Sequence, residues 1–185
     1  MEEIKELKER LLAERPAQWE GLPDLALYMD QVIGYMSRQL ICWDGEDRLT
    51  SAMVNNYIKD GLLPRAEGKR YAKAHLAYLT QICALKQVLP VKDAGLLAGR
   101  GGEEDIQARY EEFRAGLGQA MTDTAQRLPD GCTKEELADL ALELALHSYA
   151  DKLACQRIIQ LLRQEEAPRE GKKSKKEREE AKKHE

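Results

Sequence analysis

The sequence predicts an all-α fold: a helical domain carrying one tight, wing-like turn, followed by an antiparallel helical hairpin. Three observations predict it. Charged residues make up 34% of the 185 residues and aromatics only 5%, a balance found in helix-rich chains built on Ala, Leu, Glu and Lys. Apolar residues recur three and four apart through most of the chain, the spacing of one helical face. Pro and Gly mark the breaks, in "ERPAQWEGLP", "GLLPRAEG", "LPV" and "AGRGG".

Residues 1–13 place Ile4, Leu7, Leu11 and Leu12 on one side of an amphipathic helix. Two prolines and a glycine then break the chain. Asp24 is expected to cap the next helix, with Leu25, Tyr28, Met29, Val32, Met36 and Leu40 as its apolar stripe. The polar run "WDGEDR" ends it. Residues 1–23 are thus an N-terminal helix and linker, and 24–98 the main domain.

The stretch "LTSAMVNNYIKDGLLP", residues 49–64, predicts a helix of about ten residues. Thr50 or Ser51 supplies a hydroxyl for the free N–H groups of the first turn. Gly61 suits the left-handed residue after the helix, and Pro64 prevents continuation. At about 100° per residue, Met53, Val54, Tyr57 and Ile58 share one arc. Ala52, Asn55, Asn56, Lys59 and Asp60 share the other. "LLPRAEGKRY" is too short and polar for a helix, and a tight hairpin with Gly68 at its bend fits it. Helical spacing returns from Lys73 to Val88, and "VKDAGLL" reads as one more short helix.

"AGRGG", residues 98–102, has linker composition and marks the expected boundary. Residues 103–127 form a charged amphipathic helix with Ile106, Tyr110, Phe113 and Leu117 on one side; Gly116 and Gly118 weaken it. "TKEE", Thr133 to Glu136, is a capping box that opens the longest helix, running toward Gln164. The two helices within 103–164 are expected to pair as a hairpin that dimerises the protein. Residues 165–185 hold no apolar side chain larger than Ala or Pro and are expected to be a disordered charged tail.

The formal charge is −4, but it is unevenly distributed. Residues 41–102 carry nine Lys and Arg against six Asp and Glu; residues 103–164 carry seven against twelve. The middle of the chain is therefore the part suited to an anionic partner, and the C-terminal helices are not. The four cysteines, Cys42, Cys83, Cys132 and Cys155, form no C-x-x-C pair and have no His at metal-ligand spacing. They read as small buried residues with reduced thiols. His75 and His147 are helical singletons, satisfied by neighbours or exposed. With neither a leader nor a bilayer-length apolar run, the protein is expected in the cytoplasm, away from membranes. No phosphate loop, nucleophile elbow or HExxH is present, so no enzymatic activity, cofactor or metal is expected.

Asn is a poor helix former, and two adjacent Asn residues weaken a ten-residue helix. On a solvated face, Glu, Lys, Gln or Ala would serve better. An exposed Asn offers a donor and an acceptor together, as the major-groove edge of adenine requires. Ser51, Asn55 and Asn56 are therefore candidate base contacts. Lys59, Arg65, Lys69 and Arg70 are candidate phosphate contacts. Tyr57 and Tyr71 are supporting residues, Tyr57 mostly through packing with its hydroxyl near the DNA backbone. The expected partner is double-stranded DNA, bound by a homodimer. The alternative is a helical adaptor that turns the same polar face to a protein.

"MVNNYIKDGLLP" together with "KRYAKAHLAYL" resembles the MerR-type DNA-binding domain, a winged helix-turn-helix. The resemblance implies that Asn55 stands where that family has a DNA-contacting Arg, and that Tyr57 takes the place of its second Tyr. Lys69 and Tyr71 match the wing's Arg and the Tyr opening the next helix. The chain departs from that family in a longer first helix, a longer following turn and a shorter wing. Residues 24–98 more closely resemble domain-of-unknown-function family 1836, an uncharacterised bacterial family, through "LYMDQV", "MVNNYIKDGLLP", "KRYAKAHLAYL" and "LKQVLPVKD". That likeness implies a transcriptional regulator.

Overall fold

The computed structural model describes residues 2–41, 48–99, 105–131 and 133–166. Among these, all regular structure is helical apart from two isolated antiparallel bridges, Leu27 with Tyr71 and Glu67 with Arg70. The expected all-α class is observed. The helices are α1 (Glu2–Ala13), α2 (Met29–Met36), α3 (Ser51–Lys59), α4 (Lys73–Leu85), α5 (Val91–Gly99), α6 (Ile106–Arg127) and α7 (Lys134–Glu166). The polar turn after residue 42, the glycine-rich 100–102, Cys42, Cys132 and the tail beyond Glu166 lie outside the described residues. The chain divides into two compact units, Met1–Glu143 and Leu144–Glu185.

In the first unit α4 is the centre. Every residue from His75 to Cys83 is buried, as befits a helix covered on all sides. Two of its buried polar side chains bond to its own backbone: Thr80 Oγ1 donates to the Leu76 carbonyl at 2.8 Å and Gln81 Nε2 to the Ala77 carbonyl at 3.3 Å. This satisfies groups that would otherwise be costly to bury. Helices α2, α5 and α6 pack on α4, and α1 packs on α6. Leu22, Val32, Val54, Leu63, Leu76, Leu79, Ile82, Ile106 and Tyr110 belong to one buried cluster.

The segment between α1 and α2 is strapped onto α6. Tyr110 donates its hydroxyl to the Ala17 carbonyl at 2.7 Å, Arg114 Nε donates to the Pro16 carbonyl at 3.1 Å, and the Trp19 N–H donates to Glu111 Oε1 at 2.6 Å. Arg15 closes the other side, donating from Nη1 to the Leu11 carbonyl and from Nη2 to the Gly118 carbonyl and Thr122 Oγ1. A Cβ on Gly118 would lie 3.0 Å from Arg15 Nε. The glycine that weakens α6 locally thus makes room for this guanidinium.

The second helix differs from expectation. It starts at Met29 and has eight residues, so the long first helix read from the sequence is not formed. Asp24 does not cap it; its carboxylate pairs with Lys73 Nζ at 2.6 Å. Leu25 is 82% exposed and stands outside the apolar stripe. The cause is backbone pairing: Leu27 and Tyr71 exchange N–H to carbonyl bonds at 2.9 and 2.8 Å. This holds residue 27 extended, so the helix begins after it. Helix α4 also stops earlier than expected, at Leu85, and Val88 is exposed.

In the second unit, the part of α7 from Leu144 onward carries exposed Leu146, Tyr149, Leu153, Ile158 and Leu161. Its expected apolar face is therefore open along most of this length. The capping box at the start of α7 is formed: the Thr133 N–H donates to Glu136 Oε2 at 2.7 Å, and the Glu136 N–H donates to Thr133 Oγ1 at 3.2 Å.

Candidate functional site

Helix α3 is built as its sequence predicts. Thr50, in extended conformation, accepts the Met53 N–H on its hydroxyl at 3.3 Å. Gly61 takes φ +72°, and the N–H groups of Leu62 and Leu63 both donate to the Tyr57 carbonyl, at 2.8 and 3.2 Å. These bonds satisfy one of the carbonyls that a helix end leaves open. Val54 and Tyr57 are buried, and Met53 and Ile58 are half-buried. The opposite side presents Ser51, Asn55, Asn56 and Lys59, all exposed. Ser51, Asn55 and Lys59 follow one another at i, i+4 and i+8, a single row along the helix. Asn56 stands beside that row.

Tyr57 corrects one expectation. It is 4% exposed, and its hydroxyl is buried without a hydrogen-bond partner among the described residues. That hydroxyl faces the core and cannot reach a ligand outside. Burial pushes it up to about 12. The packing role stands; the backbone-contacting role does not.

After Leu63, which is buried, the chain runs to a two-residue turn. Glu67 and Arg70 exchange backbone hydrogen bonds at 3.2 and 2.9 Å. Between them Gly68 and Lys69 have φ of +55° and +65°. Left-handed φ at both central positions is what a type I′ turn requires. Glycine takes it without strain, whereas lysine does not. Gly68 sits at the bend as expected, and Arg65, Lys69 and Arg70 are exposed. Lys59, Arg65, Lys69 and Arg70 outnumber Asp60 and Glu67 in the 51–71 stretch.

The root of this turn is fixed by two buried residues. Tyr71 is 5% exposed and meets the His75 ring edge-on at a centroid distance of 5.5 Å. His75 Nδ1 accepts the Ala72 N–H at 3.0 Å, and its Nε2 lies 3.4 Å from the Arg65 carbonyl. One imidazole thus touches the backbone at both the entrance and the exit of the turn, as a histidine satisfied by its neighbours.

Sequence reasoning missed Tyr28. Its hydroxyl accepts from Arg70 Nη2 at 2.9 Å, and the guanidinium carbon lies 5.0 Å from its ring centroid. It also missed the anchoring of Lys73, which pairs with Asp24 and sits 5.6 Å from the Trp19 ring centroid. Tyr28 falls within "LYMDQV", but nothing in that motif announces a partner beyond residue 60. Among the described residues, no group of three or more His, Cys, Asp or Glu is placed to hold a metal ion. Among them too, no helix is long and apolar enough to cross a membrane.

The first unit is a helical domain that exposes a short amide-bearing helix, followed along the chain by a cationic turn. A family model, Domain of unknown function (DUF1836), matches residues 17–113. Those are 97 of the 185 residues, more than half of the chain, and the chain belongs to that family. No curated protein and no solved structure matched it.

Proposed function

We propose that this protein is a transcriptional regulator that binds duplex DNA as a MerR-like winged helix-turn-helix. Helices α2 and α3 are the helix-turn-helix, α3 enters the major groove, and the 67–70 turn is the wing on the neighbouring backbone. The observation that carries this reading is the exposure of Asn55 and Asn56 on a nine-residue helix. Two residues that weaken a helix stand where a good helix former would cost nothing. They share that face with Ser51 and Lys59, and the next exposed segment brings Arg65, Lys69 and Arg70. Amides read base edges and cations meet phosphates.

One such module buries little DNA surface, so specific binding calls for two copies. The proposed dimer contact is α7. Leu146, Tyr149 and Leu153 are 49–63% exposed and follow at i, i+3 and i+7, one continuous apolar row. Lys152 and Arg157 flank it on opposite sides, five residues apart. Parallel pairing with a second copy would set these like charges against each other. An antiparallel partner avoids that repulsion.

Selection of bound duplexes from a random pool tests the reading. A shared motif is expected, with affinity falling on a log–log salt plot by roughly 0.9 per phosphate neutralised. Asn55→Ala is expected to relax preference at one base position, at a cost of about 1–3 kcal/mol. Recovery of no duplex at low salt would leave the face to a protein partner. Light scattering reports the dimer, and Tyr149→Glu is expected to yield monomers.

A further inference from the structure

We infer that Tyr28 is a positioning residue: it holds the Arg70 guanidinium oriented for a DNA phosphate before the duplex arrives. This rests on the DNA-binding reading above and assigns a role to a residue outside the α3 face and the 67–70 turn. The register dictates the contact. Leu27 and Tyr71 exchange two backbone hydrogen bonds, which makes them an antiparallel hydrogen-bonded pair. The next pair outward is Tyr28 with Arg70, at a non-hydrogen-bonded position where opposed side chains come closest. Side chains alternate across such a ladder. Tyr71 turns into the core, while Tyr28 and Arg70 turn outward, and both are exposed.

Tyr28 is itself held. It is the residue before α2, with φ −77° and ψ 162°, and its N–H donates to Gln31 Oε1 at 2.9 Å. From that fixed base the ring lies under the guanidinium at 5.0 Å, and the hydroxyl accepts one of its N–H groups at 2.9 Å. A guanidinium has five N–H donors in a rigid fork. With one spent on Tyr28, the remainder can serve a phosphate. A free arginine side chain loses much of its rotamer freedom when it binds; one already stacked and bonded loses less. The occupant is a phosphodiester of the duplex backbone, because the planar fork suits oxyanions and the wing carries a second cation at Lys69.

The test is a double-mutant cycle on duplex binding, with affinity measured across salt concentrations. Arg70→Ala is expected to weaken binding and reduce the salt slope by about one, as one phosphate contact is lost. Tyr28→Leu keeps the arginine's charge, so the slope should stay while affinity falls about three- to tenfold through lost preorganisation. Tyr28→Phe keeps the ring and loses the acceptor, and should fall between wild type and Tyr28→Leu. Tyr28→Leu combined with Arg70→Ala should bind no more weakly than Arg70→Ala alone. Thermal melts check that each variant folds, and Tyr28→Phe keeps the test decisive if Tyr28→Leu does not. Additive losses in the cycle, or a Tyr28→Phe variant indistinguishable from wild type, would overturn the positioning role while leaving DNA binding in place. A wild-type protein that binds no duplex would overturn the DNA reading and the phosphate role together.

Discussion

Leu62 lies so close to Gly95 that a Cβ added there would fall 2.5 Å from Leu62 Cδ2 and 3.1 Å from Leu62 Cβ. The first residue after the Gly61 turn is thus seated directly on the backbone of α5. The chain leaving α3 is therefore packed against α5 with no room for a larger residue at position 95. Gly95→Ala is expected to destabilise the fold. Overpacking costs about 1–3 kcal/mol, and the gain in helix propensity returns somewhat under 1 kcal/mol. The melting temperature should drop by several degrees. Leu62→Ala should recover part of the loss when combined with Gly95→Ala but lower stability alone. A Gly95→Ala variant as stable as wild type would show that Leu62 moves aside freely.

Lys69 sits at φ +65°, a conformation that costs an L-residue about 1–2 kcal/mol relative to glycine. Such strain persists only where the surrounding structure offsets it. Lys69→Gly is expected to raise stability by about 1 kcal/mol and, on the DNA reading, to weaken binding to all duplexes alike with a shallower salt slope. Denaturant melts and binding isotherms on the same variant give the two readouts. A destabilised Lys69→Gly would show that the turn gains from the lysine itself.

The Tyr57 hydroxyl is buried with no hydrogen-bond partner among the described residues. Tyr57→Phe removes a desolvated polar group while keeping the ring that packs against the core. The expected result is unchanged stability or a gain of up to ~1 kcal/mol. Tyr110→Phe should behave in the opposite way, because the Tyr110 hydroxyl holds the Ala17 carbonyl at 2.7 Å. Its loss should cost about 1–2 kcal/mol. Equal effects from the two variants, measured by urea unfolding, would contradict this contrast.

Stability should fall in alkali. Burial pushes the Cys83 thiol up to about 11 and the Tyr57 and Tyr110 hydroxyls up to about 12. In the unfolded chain the thiol titrates near 9 and the phenols near 10. The folded state therefore holds these protons more tightly than the unfolded one. Their contribution is complete below about pH 9 and is lost as pH climbs through 9 to 12. Melting temperatures recorded from pH 7 to 11 should decline at the upper end, less so in Tyr57→Phe. A flat profile to pH 11 would count against this burial.

The sequence by itself determined what depends on neighbours a few residues apart. For α3 this was nearly everything: the apolar arc of Met53, Val54, Tyr57 and Ile58, the hydroxyl cap, the left-handed Gly61 and the outward amides. All of these follow from helical periodicity and local backbone chemistry. The capping box at Thr133 and Glu136 was legible for the same reason. Tertiary structure decided what depends on residues distant in the chain. Helix α2 is short because Leu27 pairs with Tyr71, and periodicity could not foresee a backbone partner 44 residues on. The arginine at position 70 finds Tyr28, and Gly118 makes room for Arg15. Asp24, read as a helix cap, is drawn to Lys73 instead. In each case the local sequence carried no sign of the distant partner. What decided the outcome was that partner, which local preferences of a few tenths of a kcal/mol cannot anticipate.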